Sequence, residues 1–313
     1  MKKNIILLTL LMAIAVAFSS CGDGQKKKTQ EIEGETVTIE HHLGSTVVPK
    51  NPKRVVALDF SAIENLDYIG VKPVAVPKTN MPSYLAKIQN DTSIENVGTV
   101  MEVDLEKINA VKPDLIIIGH RLADMYDQLS AIAPVISASV IDYGDFLGAF
   151  KKNLDDLGNI FDKKEEYDRA YEKIEDKISK VKTKVEADGG KGLILLHNRG
   201  RFSAYGSGSR FGVIHDVLGV EEAEKNLDTH RHGSPVSSEY VQKVNPDIIF
   251  IVDRSLVVNK EVLDKESVEN LLIKQTNASK HGRIVYLNPE MWYLAGGGIT
   301  SMNAMIDEVD QVF

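Results

Sequence analysis

Residues 102–121 read EVDLEKINAVKPDLIIIGHR, and residues 235–254 read PVSSEYVQKVNPDIIFIVDR. One offset, 235 − 102 = 133, aligns them without a gap and puts Glu106 on Glu239, Val111 on Val244, Pro113 on Pro246, Asp114 on Asp247 and Arg121 on Arg254. Each copy has a helical stretch, a Pro-Asp turn, an apolar strand, and an arginine just past the strand's end. Apolar strands recur easily by chance, so the shared acid and arginine are what make this an internal repeat. Strands as apolar as LIII and IIFIV belong to parallel sheets covered by helices on both faces. In such sheets ligands collect outside the carboxyl ends of the strands. The repeat therefore predicts an α/β fold of two doubly wound lobes with a ligand cleft between them, each lobe presenting one arginine at its rim.

Working outward, Thr36 to Glu40 and Ser45 to Val48 read as a hairpin around Leu43-Gly44. Arg54 to Leu58 follows as the first buried strand, and a helix from about Ala62 to Ile69 stops at Gly70. VKPVAVPK supplies a short strand, LADMYDQLSAI a helix and PVISASV another strand, completing an N-terminal lobe over 36–144. Residues 145–186 are charged, carry apolar residues at helical spacing and contain no proline; they predict one long helix between the lobes, with any kink near Gly158. The C-terminal lobe spans 187–313. It opens on the strand Leu193 to Leu196 and a return at Phe202 to Tyr205. A helix capped by Ser209 follows and places Arg210 at its start. The lobe ends with the strand Ile284 to Leu287, the segment NPEMWYLAGGG and a closing helix.

The chain begins MKKNIILLTLLMAIAVAFSSCGDG. A basic start, an apolar core too short to span a bilayer with margin, and small residues before a lone cysteine give residues 1–20 the form of a lipoprotein signal peptide. Cys21 would then carry lipid, and residues 21–35 form a polar tether to the membrane. This predicts an exported protein anchored to the outer face of the plasma membrane, or on the periplasmic side. With one cysteine there is no internal disulfide. The net charge is −8, and losing residues 1–20 removes Lys2, Lys3 and no acid, leaving −10. So acidic a body argues against nucleic acid as a partner, while arginines gathered in one cleft would answer a specific anion. The chain is expected to act as a monomer.

Arginine is always charged and offers planar donors suited to carboxylate, catecholate or phosphate oxygens. Arg121 and Arg254 face each other by the repeat, and Arg210 sits in GSGSR. His230, Arg231 and His232 lie in the polar loop NLDTHRHGSP, where a histidine is solvated or binds a metal ion. Trp292 and Tyr293 precede Gly296-Gly297-Gly298, a run that lets backbone approach a ligand closely beside an aromatic wall. Glu106 and Glu239 each lie one helix before their strand. They can complement a helix dipole, or dock as a pair onto basic sockets of a partner. No P-loop, GxGxxG opening a helix, GxSxG or HExxH is present, so no enzyme activity is expected.

Taken together, PKRVVALDFSAIENLDYIGVKPV, KPDLIIIGHR, GSRFGVIHDVLGV, HGSPVSSEYV, PDIIFIVDR and WYLAGGG resemble the siderophore-binding lipoproteins that feed bacterial iron ABC importers, in particular the catecholate and petrobactin subgroup. The resemblance covers almost all of the mature chain. It implies an arginine triad, here Arg121, Arg210 and Arg254, around an anionic ferric siderophore, with Trp292 beside it. It also implies that His232 and Tyr293 complete the iron's coordination when the siderophore offers too few donors, although His230 stands close enough in sequence to take the histidine's place. Hard ferric iron suits phenolate oxygen and accepts imidazole. One glutamate per lobe, Glu106 and Glu239, would engage the ABC permease. No permanent cofactor is implied; Fe3+ in its siderophore is the cargo. A binding protein of the same fold for haem, a corrinoid or a bare metal ion is the alternative.

Overall fold

The computed structural model describes residues 34–227 and 232–313. Strands β1 (Thr36–His41) and β2 (Gly44–Pro49) form the predicted hairpin. The first sheet comprises β3 (Val55–Ala57), β4 (Ala75–Val76), β5 (Glu95–Asn96), β6 (Leu115–Ile118) and β7 (Val135–Ser137). All its pairings are parallel, in the order β5-β4-β3-β6-β7. Helices α1 (Phe60–Tyr68) and α2 (Leu105–Ala110) precede β4 and β6. The winding reverses between β3 and β6, so a crevice opens at the carboxyl ends of those two strands.

After β7 come α3 (Phe146–Phe161) and α4 (Lys164–Asp188). The second sheet holds β8 (Lys191–Asn198), β9 (Arg201–Tyr205), β10 (Glu221–Glu222), β11 (Ser234–Val236), β12 (Ile248–Asp253) and β13 (Ile284–Leu287). Its order is β11-β9-β8-β12-β13, with β10 on β8; β9 pairs antiparallel with both β8 and β11, and the other pairings are parallel. Helix α5 (Ser238–Val244) leads into β12, and α6 (Ile299–Asp310) closes the chain. The expected α/β architecture of two wound lobes is present.

The sequence repeat is also a structural repeat. Asp104 caps α2 by accepting the Lys107 N–H, and Ser237 caps α5 by accepting that of Tyr240. Both helices end in a left-handed residue, Lys112 at φ 45° and Asn245 at φ 51°, which turns the chain into its proline. The aspartate after that proline then ties its strand to the next one. Asp114 accepts the N–H groups of Lys53 and Arg54 ahead of β3 (2.7 and 2.9 Å), and Asp247 accepts that of Lys191 at the start of β8 (3.1 Å). Strands β6 and β12 follow at once and are buried along their whole length. Each such aliphatic side chain contributes roughly 1.5–3 kcal/mol on burial.

Three local expectations are corrected. Residues 145–186 form two helices instead of one. Asp162 adopts φ 53°, its N–H returns to the Gly158 carbonyl, and the Lys163 N–H does the same at 2.9 Å. Lys50 and Asn51, just past the hairpin, brace the Asp162 carboxylate at 2.5 Å each. The break is thus set by contacts from 110 or so residues away, which helical periodicity cannot register. Second, the segment after β6 begins as a 3-10 helix, His120–Met125, and only Tyr126–Ser130 is α-helical. Third, Ser209 is no cap: its hydroxyl donates to the Gly206 carbonyl, the Gly212 N–H returns to the Ser209 carbonyl, and the helix is only Val213–Asp216. Arg210 therefore lies in a turn before that helix and not at a helix start. Residues 1–33, which include the predicted signal peptide and Cys21, fall outside the described residues, as do His230 and Arg231.

Candidate functional site

Four segments meet at the carboxyl ends of the two sheets. Arg121 stands three residues past β6, Arg254 opens the short helix Arg254–Val258 directly after β12, and Arg210 comes from the turn after β9. The fourth is a π-helical turn, Glu290–Leu294, which carries Trp292 and Tyr293. A turn of that pitch is uncommon and concentrates at functional positions.

The arginines predicted by repeat and resemblance converge on Tyr293. Arg121 donates to the Tyr293 carbonyl at 2.9 Å and the Leu294 carbonyl at 3.3 Å. Arg210 donates to the same Tyr293 carbonyl and also stacks on the Tyr293 ring, 4.1 Å from its centroid. Arg254 donates through Nε to the Tyr293 hydroxyl at 2.8 Å and through Nη1 to Asn198 at 3.3 Å. Burial raises the Tyr293 pKa, but the Arg254 hydrogen bond and the charges of Arg210 and Arg254 outweigh it, and the phenol lies below its ordinary value. The neighbouring arginines therefore ease proton loss from this phenol relative to a free tyrosine, and phenolate is the form that binds a hard cation. Burial and the Arg121 charge push the Arg210 pKa down.

Trp292 is only 3% exposed, its indole N–H held by Glu308 at 2.7 Å, and it contributes to the cavity lining. His232 is exposed in the turn before β11, with no hydrogen bond or ring contact to Tyr293. Its neighbour Gly233 has φ +66°, and a Cβ there would meet the Tyr205 ring at 2.7 Å. Tyr205 in turn packs edge-on against Phe211, centroids 4.7 Å apart, beside Arg210. That close approach sets Gly233, the residue after His232, against Tyr205. Glu106 and Glu239 sit away from it, exposed in the first turns of α2 and α5 at equivalent positions. Hydrogen bonding to Ser237 holds the Glu239 carboxyl below its usual range.

Sequence reasoning missed several supports. Asp59 follows β3, caps α1 through the Ser61 and Ala62 N–H groups, and lies 3.9 Å from Arg121. Its place at the carboxyl end of a central strand was the available signal. Buried His197 and Asp253 form a pair at 3.1 Å behind Arg254, and His197 also accepts the Gly200 N–H. Ser61, Glu64 and Asn65 on α1 accept N–H groups from Gly297, Ser301 and Ile299. Nothing in the one-dimensional pattern marks that contact.

Glu64 gives a pH dependence. Burial, opposed by hydrogen bonds from Ser301, pushes its pKa up from 4.5 to about 7, with Tyr84 and Asp59 alongside. Between those values the folded protein holds a proton that the unfolded chain releases, so stability falls as pH rises from about 4.5 to about 7. Urea midpoints measured at pH 5 and pH 8 should differ less in Glu64→Gln than in wild type; equal differences would refute the assignment.

Arg121, Asp59 and Ser139 from the first lobe and Arg210, Trp292 and Gly297 from the second line a cavity of about 50 Å³. Ligand pockets hold roughly 300–1,000 Å³. With the guanidinium groups packed on Tyr293, accommodating a large anion requires them to part from it.

A family model described as periplasmic binding protein matches residues 55–291. Over 312 residues the chain is 38% identical to the petrobactin-binding protein YclQ of Bacillus subtilis, covering 98% of each chain. The crystal structure of YclQ superposes with a TM-score of 0.86 at 39% identity, over 89% of this chain and 99% of that one. The ferric-anguibactin-binding protein FatB of Vibrio anguillarum is 34% identical, with 96% of this chain and 97% of FatB covered. BauB, solved bound to a complex of two acinetobactin molecules and ferric iron, has a TM-score of 0.83 at 33% identity, covering 89% of this chain and 98% of that one. Each of these relatives is named as a binding protein.

Proposed function

Because the chain belongs to the periplasmic binding protein family, we propose that it is the substrate-binding lipoprotein of an iron ABC importer and captures a ferric siderophore of the catecholate type. The observation that carries this reading is the meeting of three arginines from two lobes at one tyrosine, in a chain whose net charge is −8. Capture is electrostatic. An anionic ferric complex draws Arg121, Arg210 and Arg254 away from Tyr293 and is paired by them in a partly desolvated cleft. The freed hydroxyl of Tyr293, which gives up its proton to solvent as it binds iron, supplies a donor together with His232 when the siderophore has fewer than six. Trp292 borders the complex. Lipid on Cys21 keeps the monomer at the membrane, and Glu106 and Glu239 dock it on the permease.

Trp292 is the single tryptophan and adjoins Tyr293, so fluorescence reports on the site directly. Titration with iron(III) catecholate complexes should give saturable quenching. Absence of quenching by any catecholate, with saturable binding of haem, a corrinoid or a bare metal ion instead, would overturn the proposal.

A further inference from the structure

The segment that carries Tyr293 comes from the C-terminal lobe but is fastened to the N-terminal one. At its start, Glu290 accepts both the N–H and the hydroxyl of Ser83, at 3.0 and 2.6 Å. In the middle, Arg121 holds the Tyr293 and Leu294 carbonyls. At its end, α1 grips the first turn of α6. Ser61, Glu64 and Asn65 share one face of α1 by helical spacing. They accept the N–H of Gly297 (3.2 Å), Ser301 (3.0 Å) and Ile299 (2.9 Å), and Glu64 also accepts the Ser301 hydroxyl at 2.5 Å. The fit is tight: a Cβ on Gly298 would lie 1.8 Å from the Glu64 carboxylate.

Ser61 and Asn65 show that neutral side chains can satisfy free helix N–H groups at this interface. Glu64 instead places a carboxylate there, 2% exposed, with no ion pair among the described residues. A buried carboxyl without a cationic partner is a poor source of stability, and burial favours its protonated form. Its advantage is geometric, because the two carboxyl oxygens engage the N–H and the hydroxyl of Ser301 at once and so fix the turn leading back to Tyr293.

We infer that Glu64 is a positioning residue for the ligand cleft: from the N-terminal lobe it holds the first turn of α6, and through the Ala295–Gly298 turn it sets where Tyr293 stands among the three arginines. This rests on the function proposed above. The cleft then adjusts around a segment belonging mechanically to both lobes, with Tyr293 as its fixed point.

The test is a double-mutant cycle on the full chain, using an iron(III) bis-catecholate complex and Trp292 quenching. Glu64→Gln alone should weaken binding about tenfold, equivalent to roughly 1.4 kcal/mol. In a Tyr293→Phe background the same substitution should change affinity less than about twofold, because its route to the ligand is already removed. An equal factor in both backgrounds, or no effect in either, would overturn the inference and identify Glu64 as merely structural. If Glu64→Gln does not fold, Ser301→Ala removes the hydroxyl donor from the same carboxyl, leaving the backbone one, and is read by the same cycle. A wild-type protein that binds no ferric complex overturns the function itself, and this inference with it, which is distinct from a wild type that binds while Glu64→Gln matches it.

Discussion

Replacing Arg210 with methionine is expected to raise the melting temperature and to weaken ferric catecholate binding about a hundredfold or more. Arg210 is part-buried, donates to one carbonyl, lies over the Tyr293 and Phe211 rings, and has no carboxylate within 4 Å among the described residues. Arg121 is close enough to press its pKa down further. A charge so placed is desolvated without an anion to offset it, and an apolar side chain of similar length removes that penalty, a gain of about 1–3 kcal/mol. The ligand loses the opposite quantity. Truncating one member of a desolvated charge pair costs about 2–5 kcal/mol, and a hundredfold corresponds to roughly 2.7 kcal/mol. Thermal unfolding and fluorescence titration of one purified variant read both effects. A lowered melting temperature with intact affinity would make Arg210 a structural residue and remove it from the capture mechanism.

The second large effect separates capture from delivery. A Glu106→Ala/Glu239→Ala double mutant should keep its affinity within about twofold, yet lose about tenfold or more of iron uptake into cells. The two carboxylates occupy the same position of equivalent helices, one per lobe, both exposed and both remote from Tyr293. Within the chain both complement a helix dipole, worth about 0.3–1 kcal/mol each, and Glu239 also hydrogen-bonds Ser237 at the exposed helix start, so the fold should tolerate their loss. Identical placement on two lobes suits a permease that offers one basic socket to each. Single mutants should fall between wild type and double mutant. Normal transport by the double mutant would defeat the docking role, and lost affinity would show that the glutamates act on the cleft instead.

Much of this was legible in the chain. The offset of 133 between 102–121 and 235–254 extends to details of the folded repeat: Asp104 matches Ser237 as a cap, Lys112 matches Asn245 in left-handed geometry, and Leu115 matches Ile248 as the first strand residue. Caps, turns and buried strands are local, so residue type and spacing record them. The positions of Arg121 and Arg254 follow, because each arginine is counted from the end of its own strand.

What escaped the sequence depends on pairs of residues far apart along it. Helix α3 stops because Lys50 and Asn51 hold Asp162, over separations of 112 and 111 residues. Arg121 reaches Tyr293 across 172 residues, and Glu64 reaches Ser301 across 237. No periodicity marks such pairs, and a glutamate in the middle of an amphipathic helix looks like an ordinary exposed charge until the opposing helix is in place. The two lobes, their strands and an arginine at each rim could be read from residue order, since these follow from local burial and backbone chemistry. That the arginines share Tyr293, and that α1 holds the segment carrying it, emerges from the folded chain alone, because those hydrogen bonds join groups brought together by the packing of the lobes.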